Sequence, residues 1–444
     1  MREAGRLVDD GARPPRARLP IVGGGATTRL PRRVASVVAP FASVLTLQAT
    51  QLVAVAAAFA TNLAASASLV PSGRGALALW VQIGYFATTA AVLGVERPFV
   101  SMRQGATRQP LRELAWLTRP GVVVAALPMI GGGVAACLGH RELVVVGVVT
   151  SVFVAGNLLA RLVRTAFITG ARARAYWAAT LVSQVGLVTC ALAFVLVGVD
   201  SPVVWLGSYA LSTAPFVVVV CHAVRSSRRA EGDAGRLDVG PLAEVRRSGL
   251  ALLPASFGNT ALLRADRLLL PVLAGTAALG AYVTIASVVE AASWPVQNWV
   301  DSRLGVWRRQ VEVTGRVARG PVVALAAVAA VLSVSAGGVG VLVVVTLLSE
   351  AYRSSLALVP ALTVASFAYS LSRIWQGVLV AHGRHAGVSV IETVGAVVTV
   401  VLCVVLIPGS GAQGAAWASA VGYGVCLVLC GLVPVVTDRW AGRA

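Results

Sequence analysis

Apolar stretches of about 20 residues follow one another from Val34 almost to the C-terminus, each long enough to cross roughly 30 Å of hydrocarbon. Short polar segments rich in Arg separate them. This alternation predicts twelve membrane-spanning helices, over 38–68, 75–95, 120–138, 143–166, 175–198, 203–222, 248–273, 277–299, 320–347, 356–380, 387–407 and 413–436. Pro40 falls inside the overlong first run, which is expected to kink there or to lie partly on the membrane surface.

The pattern also repeats. GRGALALWVQIG, beginning at Gly73, returns about half a chain later as GTAALGAYVTIA, beginning at Gly275. Leu77 matches Leu279, Val81 matches Val283, Ile83 matches Ile285 and Trp80 answers Tyr282. Gly73 and Gly275 are read as matching turns that each feed a helix. Pairing the first span with the seventh makes the copies parallel, related by an axis along the membrane normal. The expected fold is an all-α integral membrane protein of two parallel six-helix lobes. The lobes cover 34–224 and 248–437. A basic disordered cytoplasmic tail (1–33), a cytoplasmic linker (225–247) and a short cytoplasmic tail (438–444) complete the chain.

Composition agrees with this class. Of 444 residues 57% are hydrophobic and 12% charged, about half the charged share of a soluble domain. The formal net charge of +19 comes wholly from Arg. Nearly all of it falls on one side of the proposed spans, and Arg74, Arg141 and Arg353 alone fall in loops on the other. That asymmetry explains the charge by the positive-inside rule rather than by nucleic acid, and it puts both termini in the cytoplasm. No signal peptide is expected, because the first apolar run is far longer than the 7–15 residues of such a core. The six cysteines lie in apolar segments and are read as packing residues; no cofactor or resident metal is expected. No phosphate-binding loop of the Walker type is present, so transport by ATP hydrolysis in this chain is not expected.

Ionisable residues within a span are functional candidates. Six qualify: Arg264, Asp266 and Arg267 in the seventh span, Glu290 in the eighth, Arg373 in the tenth and Glu392 in the eleventh. All lie in the second half, so the polar site is expected there alone. Arg264 and Arg267 are three apart and share one helix face, suited to bidentate recognition of a phosphate or to a neutralising network. Asp266 points away from Arg264. Asp266 and Glu290 are candidate sites for a coupling cation or proton, or members of structural ion pairs. Arg373 and Glu392 are shallow, and Arg373 is expected to snorkel to the interface. Gln48, Gln51, Asn62, Gln82, Tyr85, Asn157 and Gln184 could line a sugar path or bond between helices. Trp116, Trp177, Trp205, Trp299 and Trp307 sit where an aromatic belt is expected.

GRGALALWVQIG followed by VLGVERPF, RADRLLLPVLAGTAALGAYVTIASVVE, and the late IPGSGAQGAAWASAVGYG resemble, in order and spacing, one branch of a transporter superfamily. It is the polysaccharide-exporter branch of the multidrug/oligosaccharidyl-lipid/polysaccharide exporter superfamily. The resemblance implies a V-shaped pair of six-helix lobes in the bacterial plasma membrane. They would flip undecaprenyl-diphosphate-linked glycan to the outer leaflet by alternating access. It places Arg264, Asp266 and Arg267 in the family's charged seventh span. The implied partners are the bilayer, the polyprenyl-diphosphate-linked glycan, and a glycan polymerase and glycosyltransferases; no nucleic acid is expected. A multidrug–cation antiporter of the same fold and a membrane glycan polymerase or ligase are the competing readings. The first would hold a carboxylate in the first-half cavity. The second would carry a large external loop, which this chain lacks.

Overall fold

Proline opens several of the helices, since its fixed φ suits the first helical turn and its missing N–H is not needed there. The computed structural model describes residues 50, 53–103, 109–169, 173–229 and 239–441. These lie in one compact unit, Val44–Ala444, and their regular structure is helical throughout. The first helices are α1 (Val53–Ser68), α2 (Pro71–Ala91), α3 (Glu96–Arg103), α4 (Pro110–Leu117) and α5 (Gly121–Cys137). Next come α6 (Leu143–Ile168), α7 (Ala173–Val197), α8 (Pro202–Ser212), α9 (Ala214–Arg229) and α10 (Val239–Ala274). The last are α11 (Thr276–Glu290), α12 (Ser293–Thr314), α13 (Arg319–Leu347), α14 (Val359–Ala381) and α15 (His385–Ala441), with a 3₁₀ helix, Glu350–Leu358, before α14. Gly411, at φ +55, breaks α15 into two helices, as the expected turn near that position requires.

By length and composition, six of the described segments can cross a membrane, or eight if each of two bent pairs counts as one span. The pairs are α4 with α5, bent by 54°, and α11 with α12, bent by 43°. This is fewer than the twelve expected, for three reasons. Ala386–Leu432, 47 residues long, counts once although Gly411 breaks it into two helices. Of the first span only residue 50 and the sixteen residues of α1 are described. The apolar runs of α2 and α10 are interrupted by Arg74 and Gln82 and by Arg264, Asp266 and Arg267. The helices that miss the threshold are therefore those that carry polar residues inward. The tail expected over 1–33 lies outside the described residues. In the expected linker, α9 runs on to Arg229 and α10 begins at Val239, so both helices extend well into it.

α2 is the hub. It packs on α5, α6 and α8 from its own half of the chain and on α10 and α11 from the other. In a bilayer no hydrophobic force separates helix from lipid, so close approach through small residues takes over. A Cβ on Gly280 would lie 1.8 Å from the Pro71 carbonyl oxygen, and one on Gly75 would lie 1.8 Å from that of Thr276. α2 and α11 thus meet backbone to backbone near their starts. Beyond the other end of α2, Gly94 (φ +67) sits so close to α10 that a Cβ would lie 2.3 Å from the Gly249 carbonyl oxygen. Around the first crossing Ala78, Leu279, Tyr282 and Val283 pack with Leu362, Ile407 and Ala415. Around the second, Val95 and Phe99 pack with Leu162, Leu242 and Val245.

The structure corrects the reading of the repeat. Gly275 is the N-cap of α11 with φ +86, a turn position, but Gly73 lies inside α2, which Pro71 starts two residues earlier. The glycines that matter at this end are Gly75 and Gly280. The aromatic belt is also partly wrong. Trp205 is fully buried, its Nε1 donating to the Val199 carbonyl at 3.1 Å, and Trp307 is buried against Trp299. Substitution of Gly280 by Val should cost about 1–3 kcal/mol through overpacking against backbone that cannot yield. A lower melting temperature of the purified protein in detergent is the expected readout.

Candidate functional site

Helical spacing brings polar side chains from both halves of the chain to one cavity. Val55, Phe59 and Asn62 of α1, and Arg74, Ala78, Gln82 and Tyr85 of α2, line it from the first half with Tyr209 of α8. Arg264 and Arg267 of α10, Val283, Ser287 and Glu290 of α11, and Trp294 of α12 line it from the second. On each helix the lining residues recur at three- and four-residue steps, so each presents one face.

Arg264 and Arg267 do share a face toward this cavity. Arg264 Nη1 donates to Gln82 Oε1 at 2.7 Å, and its guanidinium lies over the Tyr85 ring, 4.9 Å from the centroid. Arg267 pairs with Glu290 Oε2. Its Nε is buried with no hydrogen-bond partner among the described residues, which leaves a donor in hand. Asp266 turns away from the cavity. It accepts from Tyr282 Oη, from Ser419 Oγ at 3.2 Å and from the Arg267 backbone N–H at 2.7 Å. Asp266 and Glu290 therefore have separate surroundings: Glu290 is an ion-pair partner in the cavity, and Asp266 ties α10 to α11 and α15.

Arg74 is the residue the sequence reading misplaced. It was expected in an external loop; instead it lies in the first turns of α2, 3% exposed, and lines the cavity. Its Nε donates to Ser66 Oγ at 3.2 Å and its Nη2 to Asn62 Oδ1. The expectation that the second half alone carries the polar site is thereby corrected. The GRG triplet reads as a turn, but α2 starts at Pro71 and so places Arg74 on the helix. The signal was present: Arg74, Ala78, Gln82 and Tyr85 follow one another at helical spacing along a single face.

Among the described residues, the cavity lining holds three guanidinium groups and one carboxylate. The hydrogen-bond partners of Arg74 and Arg264 are neutral. A guanidinium kept from water without a counter-charge is costly, and phosphate oxygens are the partners whose geometry matches it best. The cavity is small, about 120 Å³. Pockets that enclose whole organic ligands run to roughly 300–1,000 Å³, so a large substrate requires the surrounding helices to part.

The remaining candidates divide plainly. Arg373 does not snorkel: it donates to Glu392 Oε1 at 3.0 Å and Gln376 Oε1 at 2.8 Å, within the protein and away from the cavity. Asn157 bonds to the Phe153 carbonyl at 3.0 Å. Gln184 lines a separate, largely apolar groove beside α1. Gln48 and Gln51 lie outside the described residues. Cys403, Cys426 and Cys430 are buried free thiols, and no cluster of three or more metal-ligating side chains occurs among the described residues.

No protein-family model and no curated protein matches the sequence. Solved structures do. The chain is similar to an inward-facing multidrug resistance MATE family transporter of the MOP superfamily (12% identity, 87% of this chain and 94% of that one, TM-score 0.64). It is similar to the lipid II flippase MurJ in an inward closed conformation (10% identity, 89% and 87% covered, TM-score 0.53). It is also similar to the MATE multidrug transporter DinF-BH in complex with R6G (14% identity, 94% and 99% covered, TM-score 0.58). The chain has the fold of the MOP-superfamily transporters. In this MOP fold the apolar helices make the chain a multi-pass membrane protein.

A buried and a half-buried carboxylate can be separated experimentally. Glu392→Gln, removing the partner of Arg373, should cost about 3 kcal/mol. Glu290→Gln should cost less, about 1–2 kcal/mol, because its side chain is 31% exposed toward the cavity. Melting temperatures of the two variants in one detergent check the order.

Proposed function

We propose that this protein is a flippase that moves polyprenyl-diphosphate-linked oligosaccharide across the bacterial plasma membrane for assembly of surface polysaccharide. The observation that carries the reading is the excess of guanidinium over carboxylate in a cavity lined from both halves of the chain. Arg74, Arg264 and Arg267 bind the diphosphate, each by hydrogen bonds assisted by charge. Asn62, Gln82, Tyr85 and Ser287 meet the first sugar. Two parallel six-helix lobes rock about the cavity, with both termini in the cytoplasm, and load it from the cytoplasmic leaflet. A cation or proton gradient supplies any uphill work. Asp266 is the carboxylate placed to take the ion, since it lies off the substrate surface yet bonds three elements of the second half. The MOP fold, shared with MurJ, is compatible with this activity.

Export of organic cations in exchange for an ion is the second reading, and the likeness to MATE transporters supports it. The charge of the cavity speaks against it, because a cationic drug would face a net excess of guanidinium.

Disruption of the gene should trap lipid-linked glycan on the inner leaflet. Arg74→Gln, Arg264→Gln and Arg267→Gln should each weaken diphosphate binding by roughly 10- to 100-fold, the worth of one charge-assisted hydrogen bond, with normal protein levels. Unimpaired glycan export by all three variants would sink the assignment. Loss of dye efflux with normal glycan sidedness would select the antiporter.

A further inference from the structure

Arg74 does more than line the cavity. Its Nε donates to Ser66 Oγ at 3.2 Å, and Ser66 Oγ is 3.0 Å from Thr284 Oγ1. Thr284 spends its own hydroxyl proton on the Gly280 carbonyl at 2.9 Å. A hydroxyl carries one proton, so Ser66 must be the donor to Thr284. The chain of bonds therefore runs in one direction, from the Arg74 guanidinium through Ser66 and Thr284 to the carbonyl of Gly280. Gly280 is the residue at which α11 rests on the backbone of α2, beside Pro71 and Gly75. The relay begins at a cavity wall and ends at the closest contact between the two halves of the chain. Bonds in such a series polarise one another, so loss of the first weakens the rest.

We infer that Arg74 couples anion binding in the cavity to opening of the α2–α11 contact. This rests on the diphosphate reading above. Phosphate oxygens are stronger acceptors for a guanidinium than the neutral oxygens of Ser66 and Asn62. An anion in the cavity draws Arg74 off Ser66, Ser66 loses the donor that polarises it, and the hold on Thr284 and Gly280 slackens. At Gly75 and Gly280 backbone lies directly on backbone, with no side chain between them to resist parting at that point.

The test is hydrogen–deuterium exchange of the purified full-length protein, with inorganic pyrophosphate as the probe and its binding measured by calorimetry. Saturating pyrophosphate should speed amide exchange over 71–79 and 276–284 by about five-fold or more, the lower end of ordinary coupling between sites. Ser66→Ala should show the raised exchange without pyrophosphate. Thr284→Val, which leaves the partners of Arg74 in place, should do the same and, because coupling is reciprocal, should bind pyrophosphate more tightly than the wild type. Arg74→Gln should show the raised exchange without pyrophosphate, bind pyrophosphate more weakly and show no further rise even at saturation. Unchanged exchange over 412–430 shows that a variant is folded. Pyrophosphate binding to the wild-type protein without faster exchange at the contact would overturn the relay and leave the diphosphate reading standing. No binding of pyrophosphate or farnesyl diphosphate to the wild-type protein would remove that reading, and the relay with it. A response to farnesyl diphosphate at lower concentration than to pyrophosphate supports the relay with a lipid-linked anion; equal concentrations support it with a free one.

Discussion

A guanidinium held in a membrane must find oxygen atoms, because the hydrocarbon supplies none. Most of the distinctive features of this chain follow from that requirement applied three times in one place. Arg267 meets it with a carboxylate, Arg264 with an amide and an aromatic face, and Arg74 with a hydroxyl and an amide. The supporting oxygens come from α1, α2 and α11, so satisfying the charges also fixes how those helices sit. Where the partners are neutral, the charge stays available to a better acceptor. The stabilising network and the proposed binding surface are one set of atoms.

The same requirement explains why some ionisable residues serve structure alone. Arg373 and Glu392 satisfy each other within the second half, with Gln376 completing the guanidinium's partners. Such closed arrangements hold helices in register but offer little to a ligand. An unfilled coordination demand, rather than charge as such, marks the cavity as the place for chemistry.

Much of the helical layout was legible because apolar runs, prolines and glycines have direct geometric meaning. Pro202 and Gly275 mark real helix starts, and Gly411 marks a real break. Arg264 and Arg267 could be placed on one face from spacing alone. Arg74 was missed because local turn chemistry in GRG outweighed the period that continues from Tyr85 and Gln82 back through Ala78. The repeat strengthened the error by aligning Gly73 with a true turn glycine. Trp205 and Trp307 sit at span ends like interfacial residues, and position along a span says nothing of which side faces neighbouring helices. Contacts between the halves, such as Ser66 with Thr284, depend on three-dimensional crossing and leave no trace at any fixed sequence interval.

The bare crossing at Gly75 and Gly280 has a mechanical meaning. Ordinary helix pairs interlock, and pulling them apart means dragging each side chain over a ridge of its neighbour. Here, at Gly75 and Gly280, backbone lies on backbone with no ridge between, so the pair can pivot at that point as a shaft turns in an unkeyed bearing. The grip comes from the apolar packing beside the crossing and from the few bonds that reach it. A joint built this way can be shut firmly and yet released by a change at a single atom.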